Sequence, residues 1–502
     1  MNRKIILSIL IIITSIILAS CKKEEYIDVD QSNMELFINH KDGNIGDVMP
    51  FYDGEDWNFF YLHDSVPNPG FHPWYRFSTK NFYEFKDHGE VIPVVHDTTN
   101  QELALGTGSV IEKDGKYYAF YTAHNGRLNP KETIRVSVSS DNMETWVKDE
   151  NFEINPKDPK YNFDSNDFRD PHVVYIPEKE VYYMLFTTRY LNKGAIGYLT
   201  SKDLVNWEKE DDGIFFLNNE VNGTLDVSSN LECPTLLFHN GTWYLTFSDQ
   251  WPVRATHYLY SKDIDGEFIK PTLNVFDGTG LYAGKIAASD SQMLLMGWVS
   301  SDFNRPVEFG WGGNFIAHEL KQKASGELYV DIISQLDKKI SNNQKLTVTK
   351  TNTKFDKDKI KFGGNDYEYV IFDDLTGINK ITGTINIDSL DDKFGILFDT
   401  DGLNSGYRYD LNVKEKLMSF NRGSVIGNDT YNYTNNDLFL TKDQVNFTIL
   451  FEERLEAAGS IVTLYIENQV ALTGRMFRVS DTNFGFYSQN SKLEISNLKL
   501  YK

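Results

Sequence analysis

The chain has 502 residues, with 50 Lys and Arg against 72 Asp and Glu, for a net charge of −22 at pH 7. That length leaves room for two or three domains with full apolar cores, and that charge removes any electrostatic reason to hold a nucleic acid. Aromatic residues make up 14%; they favour strands and suit a site that stacks sugar rings, although strand core accounts for most of them.

The first element is a processing signal. Arg3 and Lys4 precede an apolar run from Ile5 to Leu18, which ends in LASC at Leu18 to Cys21. Basic, apolar and small residues in that order mark a secretory signal, and the run is short for a membrane span. LASC resembles a bacterial lipobox, which implies a signal peptide over 1–20, cleavage before Cys21 and lipidation of Cys21. Residues 21–33 then read as a polar tether. The expected location is the cell envelope, at the outer membrane or cell surface, with the lipid as the only membrane contact. Cys233 is the other cysteine; with Cys21 lipidated, no intrachain disulfide forms and the exported chain relies on its cores.

Strand–turn–strand units follow, centred on Asp53-Gly54, Asp114-Gly115, Glu178-Lys179, Asn240-Gly241 and Asp290-Ser291. Their second strands read WNFFYLHD, KYYAFYTA, VYYMLFTT, TWYLTFSD and MLLMGWVS. A second signal recurs behind them: STKNFYEF from Ser78, SSDNMETW from Ser139, TSKDLVNW from Thr200 and YSKDIDGEF from Tyr260. Two repeating signals in phase predict an all-β fold opening with a five-bladed β-propeller over 34–334. From 335 the pattern changes to alternating runs such as YEYVIFDDL, VNFTILFEER and IVTLYIENQVAL, with no helical period. A β-sandwich over 335–502 is expected.

Asp47, Asp170 and Glu232 each stand just ahead of a unit's turn. Acids at one phase of a radially repeated sheet converge on the axis, and crowded like charges cannot all ionise, which separates an acid from a nucleophile. Converging carboxylates suit glycoside hydrolysis. Asp42 and Asp53 lie close to Asp47, but spacing to the turn favours Asp47. Nothing in the sequence signals a cofactor or metal, and Cys233 has no histidine placed to activate it. Tyr407 and Tyr409 read as strand core, with sugar contact as the alternative.

These residues resemble glycoside hydrolase family 32, the β-fructosidases. The resemblance rests on an early Asp before FFY, FRDP at Phe168 to Pro171 and ECP at Glu232 to Pro234. TGS at Thr107 to Ser109, Trp74, LYAGK from Leu281, GWGGNFIAHEL from Gly310 and the tail from Ile461 add to it. It implies a retaining hydrolase of fructans or sucrose-type saccharides. Asp47 would be the nucleophile, Glu232 the acid/base and Asp170 the group that holds the fructosyl ring. Arg169, Trp74 and Ser109 would be substrate-binding.

This chain departs from the family at several points. The usual NDPNG is GDVMP at Gly46 to Pro50, so Gly46 replaces an Asn. Leu62 replaces a Gln, Leu231 a Trp and His318 an Arg, which implies altered sugar pockets. The competing readings are an inverting arabinan or xylan hydrolase resembling family 43 and a surface glycan-binding protein on a degenerate enzyme fold.

Overall fold

The computed structural model describes residues 34–65, 69–219, 227–249, 254–301, 310–389, 392–403, 406–412, 414–423, 431–435, 444–454, 459–477 and 481–502. The expected signal peptide, the tether and Cys21 lie outside these residues.

Strands run in chain order as β1 (Gly43–Tyr52), β2 (Trp57–Ser65), β3 (Trp74–Thr79), β4 (Lys86–Ile92), β5 (Ala104–Lys113), β6 (Lys116–His124), β7 (Glu132–Ser139) and β8 (Val147–Lys148). They continue as β9 (Arg169–Ile176), β10 (Val181–Tyr190), β11 (Lys193–Ser201), β12 (Ile214–Leu217), β13 (Leu231–His239), β14 (Thr242–Asp249) and β15 (Thr256–Ser261). The set closes with β16 (Leu281–Ala288), β17 (Met293–Ser300), β18 (Gly313–Gln322) and β19 (Leu328–Asp331).

The expected strand–turn–strand units form as antiparallel pairs: β1 with β2, β5 with β6, β9 with β10, β13 with β14, and β16 with β17. The first strand of each pair packs against the next, β1 on β5, β5 on β9, β9 on β13, β13 on β16, and β16 back on β1. That circuit is the ring of a propeller. The N-terminal strand closes it from both sides, since β1 also pairs with β18 through Ile45 and Gly313. Apolar clusters sit between neighbouring pairs, as where Phe120 and Ile134 meet Phe168, Met184 and Phe186. Each pair therefore buries its faces only when its neighbours are present.

The second repeated signal is a turn with a plug. Thr79, Ser139 and Ser201 accept through their hydroxyls from the backbone N–H of Phe82, Met143 and Leu204 at 2.9, 3.0 and 2.9 Å. Those three apolar residues hold φ of +65°, +65° and +70° and are buried. Such hydroxyl turns stabilise a reversal without a glycine, and each turns an apolar side chain inward.

After the short helix Ser334–Lys339 the chain builds two further antiparallel sheets. One is centred on Ile378–Ser389, Gln444–Glu452 and Lys492–Tyr501, the other on Phe394–Phe398, Tyr407–Asn412 and Asn483–Ser488. Ile381, Ile385, Phe447 and Ile449 of the first face Phe394, Ile396, Tyr409 and Phe486 of the second in one core. This is a sandwich. Tyr407 and Tyr409 belong to that core, their hydroxyls donating to the carbonyls of Phe477 and Val462. No helix among the described residues is long and apolar enough to cross a membrane.

Candidate active site

All five inner strands break register at the same place. The ladder slips between Gly46 and Met49, Leu105 and Gly108, Glu232 and Thr235, and Tyr282 and Lys285, and at the matching point of β9 between Arg169 and His172. Each slip is a β-bulge, which re-aims a side chain locally. The first bulge residues are Asp47, Gly106, Asp170, Cys233 and Ala283. Asp47, Asp170, Cys233 and Ala283 hold φ of +34°, +61°, +53° and +51°. Non-glycine residues in that region carry strain of about 1–3 kcal/mol each, and such strain gathers at functional sites.

The bulges correct the expectation of a single phase. Asp47 and Asp170 are equivalent, but the residue in phase with them on β13 is Cys233. Glu232 stands one step earlier, equivalent to Gly46, Arg169 and Tyr282. It therefore enters the site from a different level than the two aspartates, as groups with different tasks require.

The three carboxylates share one network. Asp47 accepts from Thr107 Oγ1 at 2.6 Å and from Trp298 Nε1 at 3.0 Å, one donor on each oxygen. Asp170 Oδ2 accepts from the Cys233 backbone N–H at 3.0 Å and from Thr187 Oγ1 at 3.1 Å, and the Asp170 N–H donates to Thr122 Oγ1 at 2.8 Å. Glu232 Oε1 accepts from Arg169 Nη2 at 2.8 Å, and its Oε2 accepts from the Tyr282 hydroxyl. Arg169 also donates to Asp167 at 2.6 Å and lies 3.9 Å from Asp170 and 3.6 Å from Glu132.

Burial pushes the Glu232 carboxyl above its ordinary range; Arg169 and the Tyr282 hydroxyl oppose the shift without cancelling it, and Asp170 adds to it. Burial raises Asp170 too, opposed by Arg169 and reinforced by Asp47. Asp167 moves the other way: burial would raise it, but Arg169 and Arg189 hold it at about 2. Glu232 is thus equipped to keep a proton. Asp47, by contrast, is held by neutral donors alone. Burial, with Asp170 and Asp47 next, drives the Cys233 thiol far up, so it stays protonated and inert.

The remaining sequence expectations divide. Asp42 is exposed before β1, and Asp53 is spent in its turn, accepting from Glu55, Asp56 and Asn58. Arg169 reaches the site. Trp74 is fully buried behind Gly106, its indole N–H on the Gly106 carbonyl at 3.0 Å, so it backs the bulge. The Ser109 hydroxyl accepts from the Val173 N–H at 2.9 Å and ties β5 to β9; Thr107, two residues earlier, is the hydroxyl that meets Asp47. Leu62 and Leu231 pack in apolar clusters, and His318 lies at the sandwich interface, hydrogen-bonded to Asp277 and Tyr465.

Sequence reading quoted Thr107, Tyr282 and Trp311 only within motifs and gave neither them nor Trp298 a role in the site. Trp298 sat inside an apolar strand run and carried no polar flag. Trp311 stacks on His72 at 4.2 Å and lies 6.2 Å from Trp298. Arg254 lies 4.5 Å over the Tyr282 ring and 5.3 Å over that of Trp298. Among the described residues no group of three or more His, Cys, Asp or Glu is arranged to hold a metal.

Comparison with known proteins places this arrangement. Residues 42–330 match the glycosyl hydrolases family 32 N-terminal domain. The chain belongs to family 32. It is 26% identical over 337 residues to the sucrose-6-phosphate hydrolase of Staphylococcus xylosus, covering 62% of this chain and 64% of that protein. The chain thus spans 64% of the length of that curated relative. Among solved structures, sucrose-6-phosphate hydrolase from Lactobacillus gasseri superposes with a TM-score of 0.70 at 18% identity, over 94% of this chain and 93% of that one. The exo-inulinase of Aspergillus awamori gives 0.69 at 15%, over 95% and 99%. At such identities these two establish the shared all-β fold.

Proposed function

We propose that this family 32 chain is a retaining hydrolase of β-fructosidic bonds. One observation carries the reading: bulges at Asp47 and Asp170, with Glu232 one residue ahead of the bulge on β13, give three carboxylates on inner strands of the ring with unlike environments. Asp47 attacks the anomeric carbon of the fructosyl unit, and Glu232 gives its proton to the leaving oxygen. Water then attacks the fructosyl-enzyme ester while Glu232, now ionised, accepts its proton. Asp170, anchored on three sides, holds ring hydroxyls. Arg169 links Glu232 to Asp170, so the acid and the ring-binding group move together.

Sucrose, fructans of inulin and levan type, and sucrose 6-phosphate are the substrates to compare, the last because curated relatives bear that name. The test is release of fructose by the purified protein, with the anomer of the first product read by NMR. Retention supports Asp47 as nucleophile. Inversion would place the carboxylates in the family 43-like role, and saccharide binding without turnover would leave a capture protein.

We infer from LASC that the protein is lipid-anchored at Cys21. A Cys21→Ala variant should leave the membrane fraction, and retention there would refute the anchor.

A further inference from the structure

Below the bulge residues the inner strands contribute a second layer. Met49, Gly108, His172, Thr235 and Lys285 each resume the ladder directly after the slip. Lys285 is 2% exposed, and its Nζ donates to the Pro234 carbonyl at 3.2 Å. Burying an ammonium costs several kcal/mol unless opposite charge offsets it. Burial pulls the Lys285 ammonium below its ordinary value, and the carboxylates of the site above, Asp170 and Asp47, oppose that pull. From β9 the neutral His172 faces it too, pressed down to about 3 by burial and then by this same ammonium.

A charge count shows what the lysine changes. Asp47, Asp170 and Glu232 bring three negative charges, and Arg169 contacts two of those groups. On the far side of Arg169, Asp167 is matched by Arg189 and Glu132 by Lys131. Arg254 lies over the Tyr282 and Trp298 rings, half exposed and screened by solvent. With Glu232 protonated for catalysis, Asp47, Asp170 and Arg169 together leave one surplus negative charge among these described groups. Lys285 cancels it, which makes the working protonation state the neutral one.

We propose that Lys285 is a positioning residue: its ammonium, held on the Pro234 carbonyl next to the Cys233 N–H that grips Asp170, keeps Asp170 ionised while Glu232 retains its proton. The inference rests on the fructosidase reading above. Lys285 touches no substrate and acts through the carboxylates, opposing at Asp170 the upward push of burial.

The experiment compares pH–rate profiles for fructose release by the wild type and Lys285→Met. Methionine has nearly the same length and fills the same space; because removing one partner from buried opposite charges costs stability, each profile is taken below the variant's own denaturation midpoint. The acidic limb should move to higher pH by about one unit, so kcat should fall about tenfold well down that limb and less at the wild-type optimum, with KM little changed. Limbs that stay in place overturn the proposal whatever the rate, because lost packing alone would lower activity evenly across pH. Should Lys285→Met not fold, Lys285→Gln is profiled in the same way. If neither neutral variant folds, the charge serves the fold and the proposal fails. A wild type that releases no fructose defeats the fructosidase reading and this inference with it, whereas an active wild type with unmoved limbs defeats this inference alone.

Discussion

At the scale of single residues, the division of labour follows from what each carboxylate touches. Asp47 meets two neutral donors, whereas Glu232 meets Arg169 and a phenol in a buried setting. Asp47→Ala should lower kcat on the order of 10⁴-fold with the fold intact by circular dichroism. Glu232→Gln should lose turnover of natural saccharides and keep part of it on a substrate with an activated leaving group. It should also be more heat-stable at neutral pH. The folded-state value of Glu232 is raised, so its stabilising contribution is present below the ordinary carboxylate range and is lost as pH climbs through the raised value. A permanently neutral Gln removes that loss, so the Tm gap should widen as pH rises; a gap that narrowed would contradict the assignment. Gly46 has its own reason. A Cβ there would sit 2.3 Å from Cη2 of Trp311. Gly46→Ala should cost about 1–3 kcal/mol by overpacking, and most of that cost should vanish in a Trp311→Ala background, measured as a denaturation double-mutant cycle.

At the scale of elements, the bulge is the device that converts a strand into a site. Turns and alternating aromatics exposed the hairpins in the sequence, because turn chemistry and strand period act over a few residues. The hydroxyl turns after Thr79, Ser139 and Ser201 were legible for the same reason. A one-residue slip was not, because its cause lies on neighbouring strands. Asp170 keeps its left-handed backbone because Thr122 of β6 accepts its N–H, and Cys233 keeps its own because Asp170 does. That cross-strand support is why Glu232 appeared in phase with the aspartates when Cys233 holds that place. It is also why Ser109 was read as the site hydroxyl in place of Thr107. Thr122→Val tests the device: an orphaned buried N–H costs about 1–3 kcal/mol. The Asp170 carboxylate should then lose its aim, so kcat/KM should fall while chemical denaturation still shows a folded protein. Unchanged kcat/KM would mean that the bulge holds without its cross-strand acceptor.

At the scale of the whole molecule, the sandwich completes the propeller. Leu450, Ile461, Tyr465 and Ala471 of the sandwich share one apolar cluster with Phe276, Ile332, Ile333 and Leu336. Arg475, fully buried, donates to the Ser300 carbonyl at 2.7 Å and to Asn314 Oδ1 at 2.6 Å. Glu452 accepts from the backbone N–H of Leu36 and Phe37 at 2.7 and 3.0 Å, which fastens the chain leading into β1. Polar groups this deep must be paired on both sides of the boundary, so neither half presents a finished surface alone. Asp277 is the sharpest case. It lies ahead of β16 and accepts from the Thr473 N–H at 2.8 Å and from the Thr473 hydroxyl at 2.6 Å. His318 Nε2 sits 2.9 Å from it, with the other ring nitrogen 2.9 Å from the Tyr465 hydroxyl. Asp277→Ala would strand a histidine and a backbone donor where water does not reach, a loss of about 3–5 kcal/mol for a broken buried network. Calorimetry should show one transition for the wild type and a markedly lower Tm for the variant. Two independent transitions in the wild type would show that the halves are separate units and that this interface does not couple them.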